Sequence, residues 1–452
     1  MHTLTEEQIV QLTPDAASLR AGRELSSDKN WLSFAYNSRV MWGEIKGSGN
    51  VPYRTQIDLN QTAFKCSCPS RKFPCKHGLG LLLLSARNPT LLTQSDQEPD
   101  WVKEWMDKRS ENTTKQPALP VAPVDTTDAK KADKLAKDRE KRQTERLLKV
   151  QGGVAELERW LKDLIRVGLL SAPEKSPAFW EKTAARMVDA QAPGLGNRVK
   201  ELGNIQYSSG NGWQTTILEQ VSAIYLLLEA FKRMDSLPPL LREDVRSLIG
   251  WNKSGNELLE SPDTETVKDV WLVLARQTQV QDDLRIERQW LYGSQARRYA
   301  LVLNFAYKNM PVGSLFTPAT SVEAQLVFYP SRYPLRAVVK HQGSLGKVET
   351  QPALLEHWEA AQDECAKIVA SLPWADAIPL SVASLTPTRQ ASRWLLRDGQ
   401  GYYLPIAAEV EELKTLQLLA YSGGTPLDLF LLRSQDWVVP LGLWSAGEYR
   451  AL

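Results

Sequence analysis

FKCSCPSRKFPCKHGLGLLLL, residues 64–84, holds three of the chain's four cysteines and one of its four histidines. Cys66-x-Cys68 is followed, six residues on, by Cys75-x-His77. Three thiolates and an imidazole in two tight pairs are the donor set of a tetrahedral zinc site. One intervening residue puts both side chains of a pair on the same side of an extended or tightly turned backbone. Pro69 and Pro74 lie in the gap, so the chain is expected to turn there and bring the second pair to the first. A disulfide would leave one of the three cysteines over and gives His77 no purpose, and a thiol nucleophile needs only one cysteine. The spacing therefore favours Zn2+ held by Cys66, Cys68, Cys75 and His77. The apolar run after His77 ends at Asn88-Pro89, which predicts a short helix beneath the metal.

Working outward, residues 40–46 (VMWGEIK) and 51–59 (VPYRTQIDL) read as two strands around a Gly-rich turn. The local order becomes strand, strand, ligand pair, loop, ligand pair, helix. A unit this small has little core, so the metal is expected to supply much of its folding energy. Residues 4–24 read as helical, with Thr13-Pro14-Asp15 starting a second helical stretch.

The Cys-x-Cys…Cys-x-His pattern, placed after two strands and before an apolar helix, resembles the SWIM zinc finger, and residues 25–90 resemble bacterial SWIM zinc finger family proteins in particular. The four ligands fit the family pattern without departure. The resemblance implies a zinc-binding module that contacts proteins or DNA and does not catalyse. It also implies MoxR-type AAA ATPases and von Willebrand A-domain proteins as partners.

Composition sets the frame. At 452 residues, 42 % apolar and 24 % charged, the chain has the make-up of a multidomain globular protein. Its net charge of +2 means that any nucleic-acid surface is local. No signal peptide and no membrane span is expected, and sparse cysteines point to a reducing cytoplasm. Between residues 51 and 90 stand six basic residues and one acid. Of these, Arg71, Lys72 and Lys76, with Phe73 for stacking, form a candidate nucleic-acid or partner contact. The plainer account is that the cations offset the formal −1 charge of a zinc bound by three thiolates, with Phe64 and Phe73 as an apolar lid.

Beyond the finger, residues 93–149 read as a linker and a charged helical arm, nine Lys/Arg and five Asp/Glu falling within 128–149. Residues 150–285 carry helical periodicity, with helices expected at 176–191, 240–250 and 264–283. Gly194-x-Gly196 reads as a turn between two of them. Residues 286–452 alternate strand and helix patterns, with a hairpin through PSRYP and a helix over 353–372. On that helix Cys365 reads as a small core residue and His357 as an edge residue without a role. The fold class is thus α+β and multidomain: residues 1–92 with a small ββα zinc module, a largely helical middle, and a mixed α+β C-terminal domain. No G-x-x-x-x-G-K-[ST], G-x-S-x-G or H-E-x-x-H occurs, so an adaptor is favoured over an enzyme.

Overall fold

The computed structural model describes residues 4–47, 51–59, 62–70, 72–113, 129–205, 212–262, 264–281, 283–307, 316–348, 350–391, 393–407, 410, 412–434 and 437–452. Helices α1 (Glu6–Gln11) and α2 (Ala16–Glu24) open the chain. Each starts on a side-chain cap: Thr5 in a capping box with Gln8, and Asp15 accepting from the Ser18 N–H at 2.7 Å. Strands β1 (Trp31–Tyr36), β2 (Val40–Ile45), β3 (Tyr53–Asp58), β4 (Ala63–Cys66) and β5 (Thr93–Gln94) form one sheet in the order β4-β3-β2-β1-β5. The two expected strands are β2 and β3, and the sheet around them is larger than expected.

Helix α3 (Lys76–Arg87) is the centre of this unit, for every residue from His77 to Ser85 is buried. It lies against α2 at a glycine crossing. A Cβ on Gly80 would stand 2.8 Å from the Leu25 Cβ, and one on Gly22 would stand 2.9 Å from the Leu79 Cβ. Only glycine lets the two helices come this close. With Ile9, Leu12, Trp31, Met41, Ile45 and Ile57 packed around α3, the module has a substantial apolar core. The expectation of little core is corrected accordingly. Helix α4 (Asp100–Thr113) closes the sheet's other face through Val102, Trp105 and Met106. Glu98, just before it, is buried and accepts from Asn37 Nδ2 at 2.7 Å and Arg39 Nε at 2.6 Å.

The helical middle comprises α5 (Ala129–Val167), α6 (Pro177–Asp189), α7 (Pro193–Gly203), α8 (Trp213–Lys232), α9 (Pro239–Ile249) and α10 (Gly255–Glu260). The charged arm and the apolar stripe after it are one unbroken helix, α5, which runs straight through residue 149. Its Leu157, Leu161 and Leu164 pack with Trp180, Leu195, Ile217, Ile224 and Val245 into one core. Gly194 and Gly196 are not a turn: they sit in the first turn of α7. A Cβ on Gly194 would meet the Leu248 carbonyl oxygen at 2.1 Å, so the glycine admits the backbone of α9.

The largest departure from the sequence reading is at residues 264–283. They form a strand, β6 (Thr266–Gln281), not a helix. With β7 (Leu284–Gly293), β8 (Tyr299–Tyr307), β9 (Ser321–Phe328) and β10 (Arg336–Gly346) it makes a closed barrel in the order β10-β8-β7-β6-β9. Trp271 and Val273 fill the barrel, while Leu272 and Leu274 pack outward. Helix α11 (Trp358–Ser371) leads into β11 (Ile378–Gln390), β12 (Arg393–Arg397) and β13 (Tyr403–Pro405). Helix α12 (Glu412–Ser422) and strands β14 (Leu427–Ser434), β15 (Trp437–Ser445) and β16 (Glu448–Ala451) complete a six-stranded sheet. Cys365 is fully buried in its core. His357 has a role after all: as N-cap of α11, its Nδ1 accepts from the Ala360 N–H at 3.1 Å. The zinc module touches the barrel, with Gln8 Nε2 donating to Ala319 O at 3.0 Å and the Thr62 and Thr317 hydroxyls 3.1 Å apart. Among the described residues no helix is long and apolar enough to cross a membrane.

Candidate metal centre

The four sequence-predicted ligands converge. Cys66 ends β4, Cys68 follows two residues on, Cys75 is the N-cap residue of α3, and His77 stands in that helix's first turn. Their ligand atoms all lie within 4.8 Å of one another. The Cys66 Sγ is 3.7 Å from His77 Nδ1, and the Cys75 Sγ is 4.0 Å from it. A tetrahedral zinc with ordinary Zn–S and Zn–N bonds needs sulfur–nitrogen edges of about 3.5 Å. The donor set and its spacing therefore fit Zn2+.

Two neighbours hold the quartet. Thr55 stands directly opposite Cys66 in the antiparallel β3–β4 register, and its hydroxyl donates to the Cys66 Sγ at 2.9 Å. The Tyr53 ring packs beside the His77 imidazole with centroids 5.2 Å apart. Electrostatically the cluster is strongly coupled. Hydrogen bonds from Cys66 and then Cys75 hold the Cys68 thiol far below its ordinary value. Cys75, beside the sulfurs of Cys66 and Cys68 and buried, is pushed the other way. Burial disfavours a charged His77, but the hydrogen bonds and charge of Cys66 and Cys68 outweigh it and raise the ring to about 9. A cation placed among these groups relieves that conflict by stabilising all the thiolates together.

The contact candidates have different fates. Lys72 reaches Asp15 at 2.8 Å, and that ammonium, helped by the Ser18 N–H, lowers the Asp15 carboxyl to about 2. Phe73 is half-buried and meets Phe64 edge-on with centroids 6.1 Å apart, as a lid over the core. Lys76 is exposed at the start of α3. Arg71 lies outside the described residues. Two other basic residues of the finger are engaged within the chain: Arg54 with Glu44 at 3.1 Å, and Arg87 with Glu6 at 2.7 Å. A groove of about 770 Å³ borders the metal centre, where Lys29, Lys46, Lys72 and Lys76 surround Cys68 and His77. Sequence reasoning misses Thr55, whose importance follows from strand register, and Asp15, which the sequence marks only as a helix start.

Family models agree with this geometry. Residues 53–85 match the SWIM zinc finger, and residues 145–249 match the SWIM-associated four-helix bundle domain. The chain carries a SWIM zinc finger. The finger match spans β3 through most of α3 and so contains all four ligand candidates. The second SWIM match covers the part of α5 with the buried leucine stripe and continues through α9. No curated protein and no solved structure matches the chain.

Proposed function

We propose that this protein is a non-enzymatic, zinc-dependent adaptor of the bacterial cytoplasm, in which Cys66, Cys68, Cys75 and His77 ligate the ion. The SWIM module and the bundle present surfaces to protein partners, and the family resemblance makes MoxR-type AAA ATPases and von Willebrand A-domain proteins the first to test. One observation carries the choice of protein over nucleic acid. Of the six basic residues in the finger, Arg54, Lys72 and Arg87 already face carboxylates of their own chain. A cation paired within the protein releases fewer counterions from a phosphate backbone, and the local excess of charge falls accordingly.

The second reading, a DNA-binding finger, draws on Lys29, Lys46 and Lys76 around the groove beside the metal, none of which makes an ion pair among the described residues. Two measurements on the zinc-loaded protein separate them. Immobilised protein is expected to retain a purified ATPase or von Willebrand A-domain partner in a zinc-dependent manner. Its affinity for duplex DNA is expected to be weak. Tight DNA binding that falls steeply with salt, with no partner retained, overturns the adaptor reading.

A further inference from the structure

A second cleft lies away from the metal centre. The helical bundle, the barrel and the C-terminal sheet enclose a cleft of about 560 Å³, within the range of small-molecule sites. Its walls are tied together. The Arg332 N–H, in the β9–β10 turn, donates to the Asp244 carboxylate of α9 at 2.8 Å. The Trp374 Nε1–H, after α11, donates to Ala223 O of α8 at 2.9 Å.

The charges lining the cleft are unevenly matched. Each lining carboxylate has a partner: Glu243 has Arg246 at 2.9 Å and Lys253 at 3.4 Å, Asp244 has the Arg332 N–H, and Asp376 faces Arg198 at 3.7 Å. The two lining arginines have no carboxylate among the described residues. Arg288 donates to the neutral Gln279 Oε1 at 2.7 Å, and Arg336 lies over the Tyr329 ring at 4.5 Å. Arg288 is half-buried, and loss of water around it lowers its guanidinium from the ordinary value. A cation withdrawn from water without a counterion is costly, and a bound anion offsets that cost.

Strand register shows that the pair can act together. Trp290 opposes Leu301 across β7–β8, and Leu301 opposes Arg336 across β8–β10. Arg288 lies two residues before Trp290 and so on the same face of β7. Two strand spacings across and two residues along place the Cα atoms of Arg288 and Arg336 about 12 Å apart. Both side chains line the same cleft, and Arg288 turns from Gln279 on β6 toward β8 for the two to meet one ligand. Trp251, Tyr329 and Tyr333 add flat surfaces to the same cleft. We propose that this cleft binds a small oxyanion, a phosphate or carboxylate carried on a planar ring, with Arg288 and Arg336 gripping the anion and the aromatic side chains flanking the ring.

Isothermal titration of the full-length, zinc-loaded protein tests this with ADP for the phosphate source, phenylpyruvate for the carboxylate source and adenosine as the uncharged control. One anion is expected to bind saturably and at least about tenfold more tightly than adenosine, as a charge-assisted pair requires. Arg288→Gln and Arg336→Gln should each weaken it by about tenfold or more. Arg288→Lys, which keeps the charge and loses the fork, should fall between. Unchanged melting of the unliganded variants shows that folding is not the cause. Absence of saturable binding by both anions overturns the proposal. Binding that is indifferent to Arg288→Gln and Arg336→Gln does the same.

Discussion

Replacing Thr55 by valine tests the metal centre through a residue that is not itself a ligand. Thr55 is fully buried, and its hydroxyl donates to the Cys66 sulfur at 2.9 Å from the directly opposing position on β3. Valine has nearly the same shape and suits a strand, so the backbone ladder and the packing survive. What disappears is one hydrogen bond to a thiolate. Bonds to charged acceptors contribute about 1.5–3 kcal/mol, or roughly 10- to 150-fold in an equilibrium constant. Loss of a group that supports a metal ligand costs about 10–100-fold in affinity. Thr55→Val should therefore bind zinc about 10–100-fold more weakly, while the zinc-depleted proteins melt alike. Thr55→Ser, which keeps the donor, should stay near the native affinity. Competition against a chromophoric chelator near neutral pH measures all three proteins. Native affinity in Thr55→Val, or a Ser variant as weak as the Val variant, would refute the role given to this hydroxyl.

Further outcomes follow from other parts of the fold. Cys75→Ser should lose most of its bound zinc by elemental analysis, yet keep the α3 core, because the buried leucines of α3 pack in a substantial apolar core; stoichiometric zinc in that variant speaks against the ligand set. Gly80→Ala gains up to about 1 kcal/mol in helix propensity but drives a Cβ to 2.8 Å from Leu25 Cβ in a tight crossing, so a net loss of about 1–2 kcal/mol is expected in chemical denaturation. Glu98→Gln removes a buried carboxylate bound by Asn37 and Arg39 and should cost about 1–3 kcal/mol. Arg39 foremost, then Asn37, holds the Glu98 carboxyl below its ordinary value against the effect of burial. That stabilisation is therefore complete above about pH 4.3 and disappears as the pH drops through the lowered native value, so the native and Glu98→Gln proteins should converge in stability in acid.

The metal centre was legible because its information is local: Cys66, Cys68, Cys75 and His77 lie within twelve residues, and spacing alone brings each pair together. Helices α6, α8 and α9 were equally readable from their one-sided apolar stripes. Strand β6 was not, because Trp271 to Ala275 is apolar without interruption. One face fills the barrel and the other packs on the C-terminal sheet, so the alternation that marks a half-buried strand is absent. Gly194 misled for a related reason. A glycine needed for a helix to approach another backbone looks the same in sequence as a glycine needed for a turn. The pairing of Lys72 with Asp15 and of Arg87 with Glu6 depends on how α1 and α2 lie against the finger, which no local pattern encodes. The basic patch consequently looked larger in one dimension than it is in three.

The open sheets of this protein end in very short strands. The zinc-bearing sheet is bordered by β4 and β5, of four and two residues, and the C-terminal sheet by β13 and β16, of three and four. A foreign peptide pairing with these outermost strands themselves finds only two to four residues to zip onto. The same stunted margins guard a strand-rich chain against stacking onto copies of itself.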